Sequence, residues 1–113
     1  MRTICNALGC KVEVPAELES VGKCIMHFTL VIEDECATMR REVAHKTSDQ
    51  ERQSEFGNRI ADHGEVLVRV ATSGYPMTDE IKARVLSTLL SLMICRESIG
   101  RAHHREATER RFG

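Results

Sequence analysis

The chain has 113 residues, which is enough for one domain of ordinary size or for a small domain with an appendage. Its 16 basic and 17 acidic residues give a formal net charge of −1, which excludes a long-range field that would concentrate the protein on nucleic acid or on an anionic membrane. No window approaches the roughly 18 apolar residues of a membrane span, and residues 1–10 lack the apolar run of a signal peptide. We therefore expect a cytoplasmic protein with no membrane partner.

Three of the five cysteines lie close to a histidine near the N-terminus, in patterns C-x4-C and C-x2-H. These four candidate ligands are Cys5, Cys10, Cys24 and His27. Three thiolates and one imidazole complete a tetrahedral zinc shell and leave no position for water, although the same set would also accept iron. Gly9 permits a tight loop around a metal, and the last two ligands would share one face of a first helical turn. We predict a structural zinc site, one ion per chain, in a module over residues 1–28.

The same segment resembles the short treble-clef-like zinc fingers of small bacterial proteins, in which C-x-x-x-G-C is followed by G-x-C-x-x-H and an aromatic residue. The matching elements lie between Cys5 and Phe28, and no family is recognised in the helical remainder. The resemblance implies the same four ligands. Such fingers often carry several Arg or Lys, whereas this one has Lys11 and Lys23 beside three glutamates.

Before the helices begin, alternation of polar and apolar residues over Lys11 to Val14 predicts a short strand, which we expect to pair with residues 20–23. From Cys24 onward, apolar residues recur at helical spacing and predict a helix over residues 25–45. Ser48 and Glu51 form a capping-box pattern that predicts a break near residue 47 and a second helix over 49–73. One long continuous helix is the alternative.

Within the second helix, His63 lies on the apolar stripe, where we expect it to be a core histidine hydrogen-bonded to a neighbour. Gly57, Gly64 and Ala71 follow one another at heptad spacing beside that stripe. Glycine costs roughly 1 kcal/mol in a helix interior, so this line indicates either close approach of another backbone or a tolerated weak position.

After Pro76, capping by Thr78 predicts a third helix over residues 78–100, apolar on more than one side and hence buried on more than one side. A charged Arg-rich tail follows from Arg101, which we expect to be either a solvated helical extension or a frayed end. We predict a mainly α fold in which residues 29–113 form an antiparallel helical hairpin or three-helix bundle that self-associates, most simply as a twofold dimer.

Three functions are open at this point. The favoured one is a non-enzymatic, zinc-stabilised protein-interaction or small regulatory module. The first alternative is a nucleic-acid-binding regulator that uses the finger and the Arg-rich tail. The second is a dimeric bundle metalloenzyme in which Glu42 and His45, an E-x-x-H pair, bind metal, although such proteins need further carboxylate ligands. Cys36 and Cys95 lie in apolar helical patterns and are expected to be unreactive.

Overall fold

The computed structural model describes residues 3–45 and 49–112, apart from the side chains of residues 103 and 105–112. Over these residues the chain is mainly helical, as predicted. Its three helices are α1 (Ile25–Ala44), α2 (Gln50–Thr72) and α3 (Asp79–Phe112). An irregular segment with one 3₁₀ turn, Ala16–Leu18, precedes them.

The first two helices are separate. α1 ends at Ala44, and α2 begins after Asp49, whose side chain accepts a hydrogen bond of 2.8 Å from the backbone amide of Arg52. This N-cap satisfies one of the unpaired amides of the first turn. The predicted capping residue Ser48 lies outside the described residues.

Side-chain contacts between helices fix the direction of each helix. Glu35 of α1 contacts His63 of α2, while Glu42, further along α1, contacts Arg52, earlier in α2, so these helices are antiparallel. Thr29 accepts a hydrogen bond from Arg84, and Cys95 Sγ lies 3.9 Å from the carbonyl oxygen of Cys36. α1 and α3 therefore run parallel, and α3 packs against both other helices. The architecture is an up-down-up three-helix bundle.

His63 is largely buried, as expected for a core histidine. Its Nε2 lies 2.5 Å from Glu35 Oε2, and its ring makes an edge-on contact with Phe28 at a centroid distance of 5.6 Å. Since a carboxylate only accepts, the imidazole nitrogen is the donor. The sequence pattern located this histidine but not its partner.

The irregular N-terminal segment shares one apolar core with the helices. Val14 and Leu18 are buried in the same cluster as Phe28 and Ile32 of α1. Tyr75, which follows α2, donates a hydrogen bond to the carbonyl oxygen of Glu13 at 3.4 Å. The metal-ligand segment is thus held against the bundle by burial of its own side chains.

The predicted strand at Lys11–Val14 forms only an isolated bridge, and its partner differs from the expected one. Ile4 pairs with Glu13 in antiparallel orientation, and the Val14 amide donates to the carbonyl oxygen of Thr3. Residues 20–23 do not pair with it. The reason is local: the 3₁₀ turn directs the chain away after Pro15, whereas residues 3–5 run alongside.

Of the two interpretations of the glycine line in α2, close approach by another element is not seen among the described residues of the chain. A Cβ atom built at Gly57 or at Gly64 meets no other atom within 4 Å, and Ala71 is exposed. Within the part of the chain that the structure describes, these glycines face open space. They match the alternative interpretation, a tolerated weak position.

Beyond residue 100 the structure shows the helical extension rather than a frayed end. α3 continues to Phe112, and Arg101 pairs with Glu97 one turn earlier, a spacing that supports a helix. One expectation for α3 needs correction: within the chain the helix is not buried on more than one side, because Leu86 and Leu90 remain more than half exposed. None of the helices in the described ranges has the length and apolarity needed to cross a bilayer.

The long third helix makes the molecule elongated. Its radius of gyration is 16.4 Å, and its dimensions are 58 × 25 × 20 Å. A globular chain of this length has a radius of gyration of about 13 Å. The 34 residues of α3 extend roughly 50 Å at 1.5 Å per residue, which accounts for the longest dimension.

Candidate metal centre

The four predicted ligands converge. One ligand atom from each of these residues lies within 4.8 Å of all the others, in the set Cys5, Cys10, Cys24 and His27. The nearest pairs are the imidazole Nδ1 with two sulfur atoms, at 3.2 Å from Cys24 Sγ and 3.4 Å from Cys5 Sγ. Cys10 Sγ lies 4.0 Å from Cys24 Sγ. This Cys3His group could hold a metal ion.

These separations suit a tetrahedral ion. With Zn–S bonds of about 2.3 Å and Zn–N bonds of about 2.0–2.1 Å, tetrahedral angles give S···S separations of about 3.8 Å and S···N separations of about 3.6 Å. The three distances given above lie within about 0.4 Å of these values, and the other ligand pairs lie within 4.8 Å. Nδ1 is the ring nitrogen of His27 that faces the sulfur atoms, so it is the atom that would bind the metal. The spacing of the four residues in the sequence did not decide between Nδ1 and Nε2.

A tight turn positions the first two cysteines. The amide of Cys10 donates to the carbonyl oxygen of Ala7 at 3.0 Å, which closes a turn around Leu8 and Gly9. Gly9 has a φ of 80°, a backbone conformation that side-chain-bearing residues seldom adopt. The turn brings the two thiols to one side, while Leu8 at its tip is fully exposed.

The second pair of ligands lies at the start of α1. Cys24 is the N-cap residue, with an extended backbone, and His27 follows within the first turn. The backbone amide of His27 in this first turn lowers the pKa of Cys24, but burial of the thiol outweighs this effect. Cys24 is buried and His27 is half-buried.

Asn6 joins the two halves of the site, and sequence reasoning missed it. Its amide donates to the carbonyl oxygen of Gly22 at 2.8 Å, and its side-chain oxygen accepts from Lys23 Nζ at 2.8 Å. Gly22 has a φ of 74°, and a Cβ added there would lie 2.9 Å from Asn6 Nδ2. A single asparagine between cysteines carries no recognisable signal, because its partners lie 16 and 17 residues away.

The thiols of Cys5 and Cys24 have opposite pKa shifts. Burial opposes ionisation of Cys5, but backbone hydrogen bonds at Cys24 and Ala7 and contacts with the two neighbouring thiols outweigh it and lower its pKa. Burial raises the pKa of Cys24, and the neighbouring Cys5 sulfur adds to the rise. The surroundings therefore stabilise a thiolate at Cys5, the protonation state that a metal requires.

The remaining candidate residues do not join a metal site. Glu42 lies 3.4 Å from Arg52, and His45 is exposed at the end of α1. Among the described residues, the Cys3His group is the one that gathers enough ligand atoms for a metal. Cys36 and Cys95 are buried in the core, where the Cys95 side chain and burial raise the pKa of Cys36, which disfavours a reactive thiolate.

No family model matches this chain, and neither a curated protein nor a solved structure matches it.

Proposed function

We propose that the protein is a non-enzymatic, zinc-stabilised helical module whose role is protein interaction. The observation that carries this proposal is the convergence of four protein ligands at the N-terminus of α1. Three thiols with one imidazole favour zinc over harder cations, which prefer oxygen ligands. We include in this proposal that residues 1–28 form a zinc-finger-like module.

A four-ligand shell supports a structural rather than a catalytic role. Catalytic zinc ions keep one position for water or substrate, whereas Cys3His sites are saturated by the protein. Structural zinc stabilises zinc-finger peptides by on the order of 10 kcal/mol at neutral pH. Here the ion would tie the Ala7–Cys10 turn to the first turn of α1 and so fix how the N-terminal segment lies on the bundle.

Cobalt substitution tests the proposal. The full chain should be purified without added metal, and elemental analysis should then find one zinc per chain. The Co²⁺ form should give the absorption spectrum of tetrahedral coordination with thiolate-to-metal charge transfer, and added imidazole or azide should leave it unchanged. A spectrum that shifts on titration with either ligand would reveal an open coordination position and overturn the structural role.

One observation favours a second candidate, the nucleic-acid-binding regulator. Arg40, Arg41 and His45 at the end of α1 line one cleft together with Arg101 of α3. This cleft adds positive groups beside the predicted Arg-rich tail, whose side chains beyond residue 104 lie outside the described residues. Basic groups clustered on one face are what phosphate contacts require.

Salt dependence distinguishes the two candidates. If the cleft binds nucleic acid, duplex DNA or single-stranded RNA should bind at low salt with a steep dependence on ionic strength, and Arg40→Glu should weaken binding. Arg69→Glu, which changes an exposed arginine in the last turn of α2 outside the cleft, is the matched charge control. Absence of binding to both nucleic acids at low salt would remove this candidate.

A further inference from the structure

The outer side of α3 carries an uninterrupted apolar strip. Its large side chains are 49–66% exposed: Leu86, Leu90, Met93 and Ile94, hereafter the α3 stripe. They recur three or four residues apart, the spacing of one helical face. An apolar strip of this length on a surface helix is typical of an interaction site.

Neither α1 nor α2 can cover the α3 stripe, because they already occupy the other side of the helix. Val85, Leu92 and Cys95 are buried against them, with exposed fractions of 4% or less. At 100° per residue, Leu90 points away from all three of these side chains. Whatever covers the stripe comes from outside the chain.

The solvent-accessible area of the chain can be compared with the area that a stable dimer buries. A folded monomer of 12.7 kDa exposes about 6,200 Å² by the usual scaling with mass, whereas this chain exposes 7839 Å². A stable dimer buries about 800 Å² per partner. The elongated shape contributes to this excess, and the exposed area that remains on α3 is the place where such a contact can form.

Charged residues flank the stripe, and the outer charge is acidic at its N-terminal end but basic at its C-terminal end. At the N-terminal end lie Asp79 and Lys82, and at the C-terminal end lie Glu97 and Arg101, all exposed. Within one chain Arg101 pairs with Glu97. If a second α3 runs antiparallel, with the twofold axis near Leu90, Asp79 faces Arg101 and Lys82 faces Glu97, so each member of that pair gains a partner of opposite charge on the second copy. A parallel arrangement would place each charge beside its own copy, which is destabilising.

From this complementarity we infer that α3 pairs with α3 of a second copy in antiparallel orientation, about a twofold axis near Leu90. The apolar side chains of the α3 stripe form the centre of the contact. The pairs of Asp79 with Arg101 and of Lys82 with Glu97 form its two ends. Such an isologous contact closes on itself and buries the same patch on both chains. The inference rests on the proposed interaction role, for which it names the partner.

Analytical ultracentrifugation of the full metal-loaded chain at micromolar concentration tests the contact. We expect twice the chain mass. Leu90→Glu would bury two like charges at the axis and raise the dissociation constant roughly a hundredfold or more, with helicity and metal content unchanged. Val68→Glu, at an exposed apolar site on α2, is the matched control and should leave the dimer intact.

Charge reversal tests the orientation. Asp79→Arg alone and Arg101→Asp alone should each raise the dissociation constant, by roughly tenfold for two symmetric pairs, and the double variant should restore it. In a parallel dimer the double variant would give no rescue. That outcome overturns the antiparallel arrangement.

A wild-type chain that sediments as a monomer overturns the inference and leaves the stripe to a partner of different sequence. A dimer dissociated by Val68→Glu but not by Leu90→Glu overturns it as well. Neither result bears on the cobalt spectrum, so failure of the dimer and failure of the structural metal site are distinguishable.

Discussion

His63 Nε2 lies 2.5 Å from Glu35 Oε2, and the same carboxylate accepts two hydrogen bonds from Arg59. This cluster joins α1 to α2 next to the Phe28 ring. Glu35 follows His27 by eight residues along α1. Partial burial alone would raise the pKa of Glu35, but hydrogen bonds from Arg59 and His63 outweigh it and hold that pKa below the ordinary carboxyl value. Glu35 is therefore favoured as a carboxylate in the folded state.

Replacing Glu35 with Gln should lower the free energy of unfolding at neutral pH by about 1 kcal/mol, because the charge-assisted bonds of a partly exposed group are lost. A depressed folded-state pKa means that the stabilisation is present above the unfolded-state pKa and is lost as pH falls. The wild-type chain should lose stability below about pH 5, and the variant should lose less of it over the same range. Urea denaturation at several pH values measures both effects.

Glu65→Gln is the control for that prediction. Glu65 pairs with Arg69 one turn along α2, but both side chains are more than 60% exposed, so the change should stay within about 0.5 kcal/mol. Equal losses in the two variants would contradict the assignment of a stabilising role to Glu35.

Cys24→Ser should abolish stoichiometric zinc binding, because an incomplete shell holds the ion far less tightly. Cys36→Ser removes a thiol of similar burial outside the Cys3His group and should retain one zinc per chain. Elemental analysis after gel filtration gives the metal content of both variants. Retention of one tightly bound zinc by the Cys24 variant would refute its place in the site.

Metal removal should affect the chain unevenly. The amides of Cys5, Asn6 and Cys10 depend on hydrogen bonds within the ligand loops, so chelation should increase their exchange rates. We expect residues 1–24 to unfold while the helices persist, because the core of the bundle is formed mostly by its own apolar side chains. Hydrogen exchange followed by NMR before and after chelation measures this, and unchanged exchange in the loops would argue against the site.

Two glycine substitutions should have opposite effects. Gly22→Ala places a Cβ at a φ of 74° and against the Asn6 side chain, which should cost about 1–2 kcal/mol and weaken metal binding. Gly57→Ala meets open space in the middle of α2 and should stabilise the chain by about 0.5–1 kcal/mol. Thermal unfolding of the zinc-loaded proteins compares them; destabilisation by both would mean that α2 packs more closely at Gly57 than described.

The sequence by itself determined the features that depend on neighbours along the chain. The Cys3His group that could hold a metal was predictable because a metal needs particular donor atoms, and the two members of each pair lie close together along the chain. The three helices could be predicted because their apolar period and their start signals are local properties. The end of α3 could not be predicted, because Gly100 lies on the exposed side, where a glycine weakens a helix without ending it.

Only the tertiary structure decided which distant groups meet. The contact of Asn6 with Gly22, the pairing of His63 with Glu35 and the exposure of the α3 stripe all depend on the orientation of segments that are far apart in the chain. Periodicity shows that a residue belongs to an apolar face, but it does not show whether another element covers that face. That choice follows from how the whole chain packs, and in this protein it leaves one side of α3 open while it closes the four ligands around a single point.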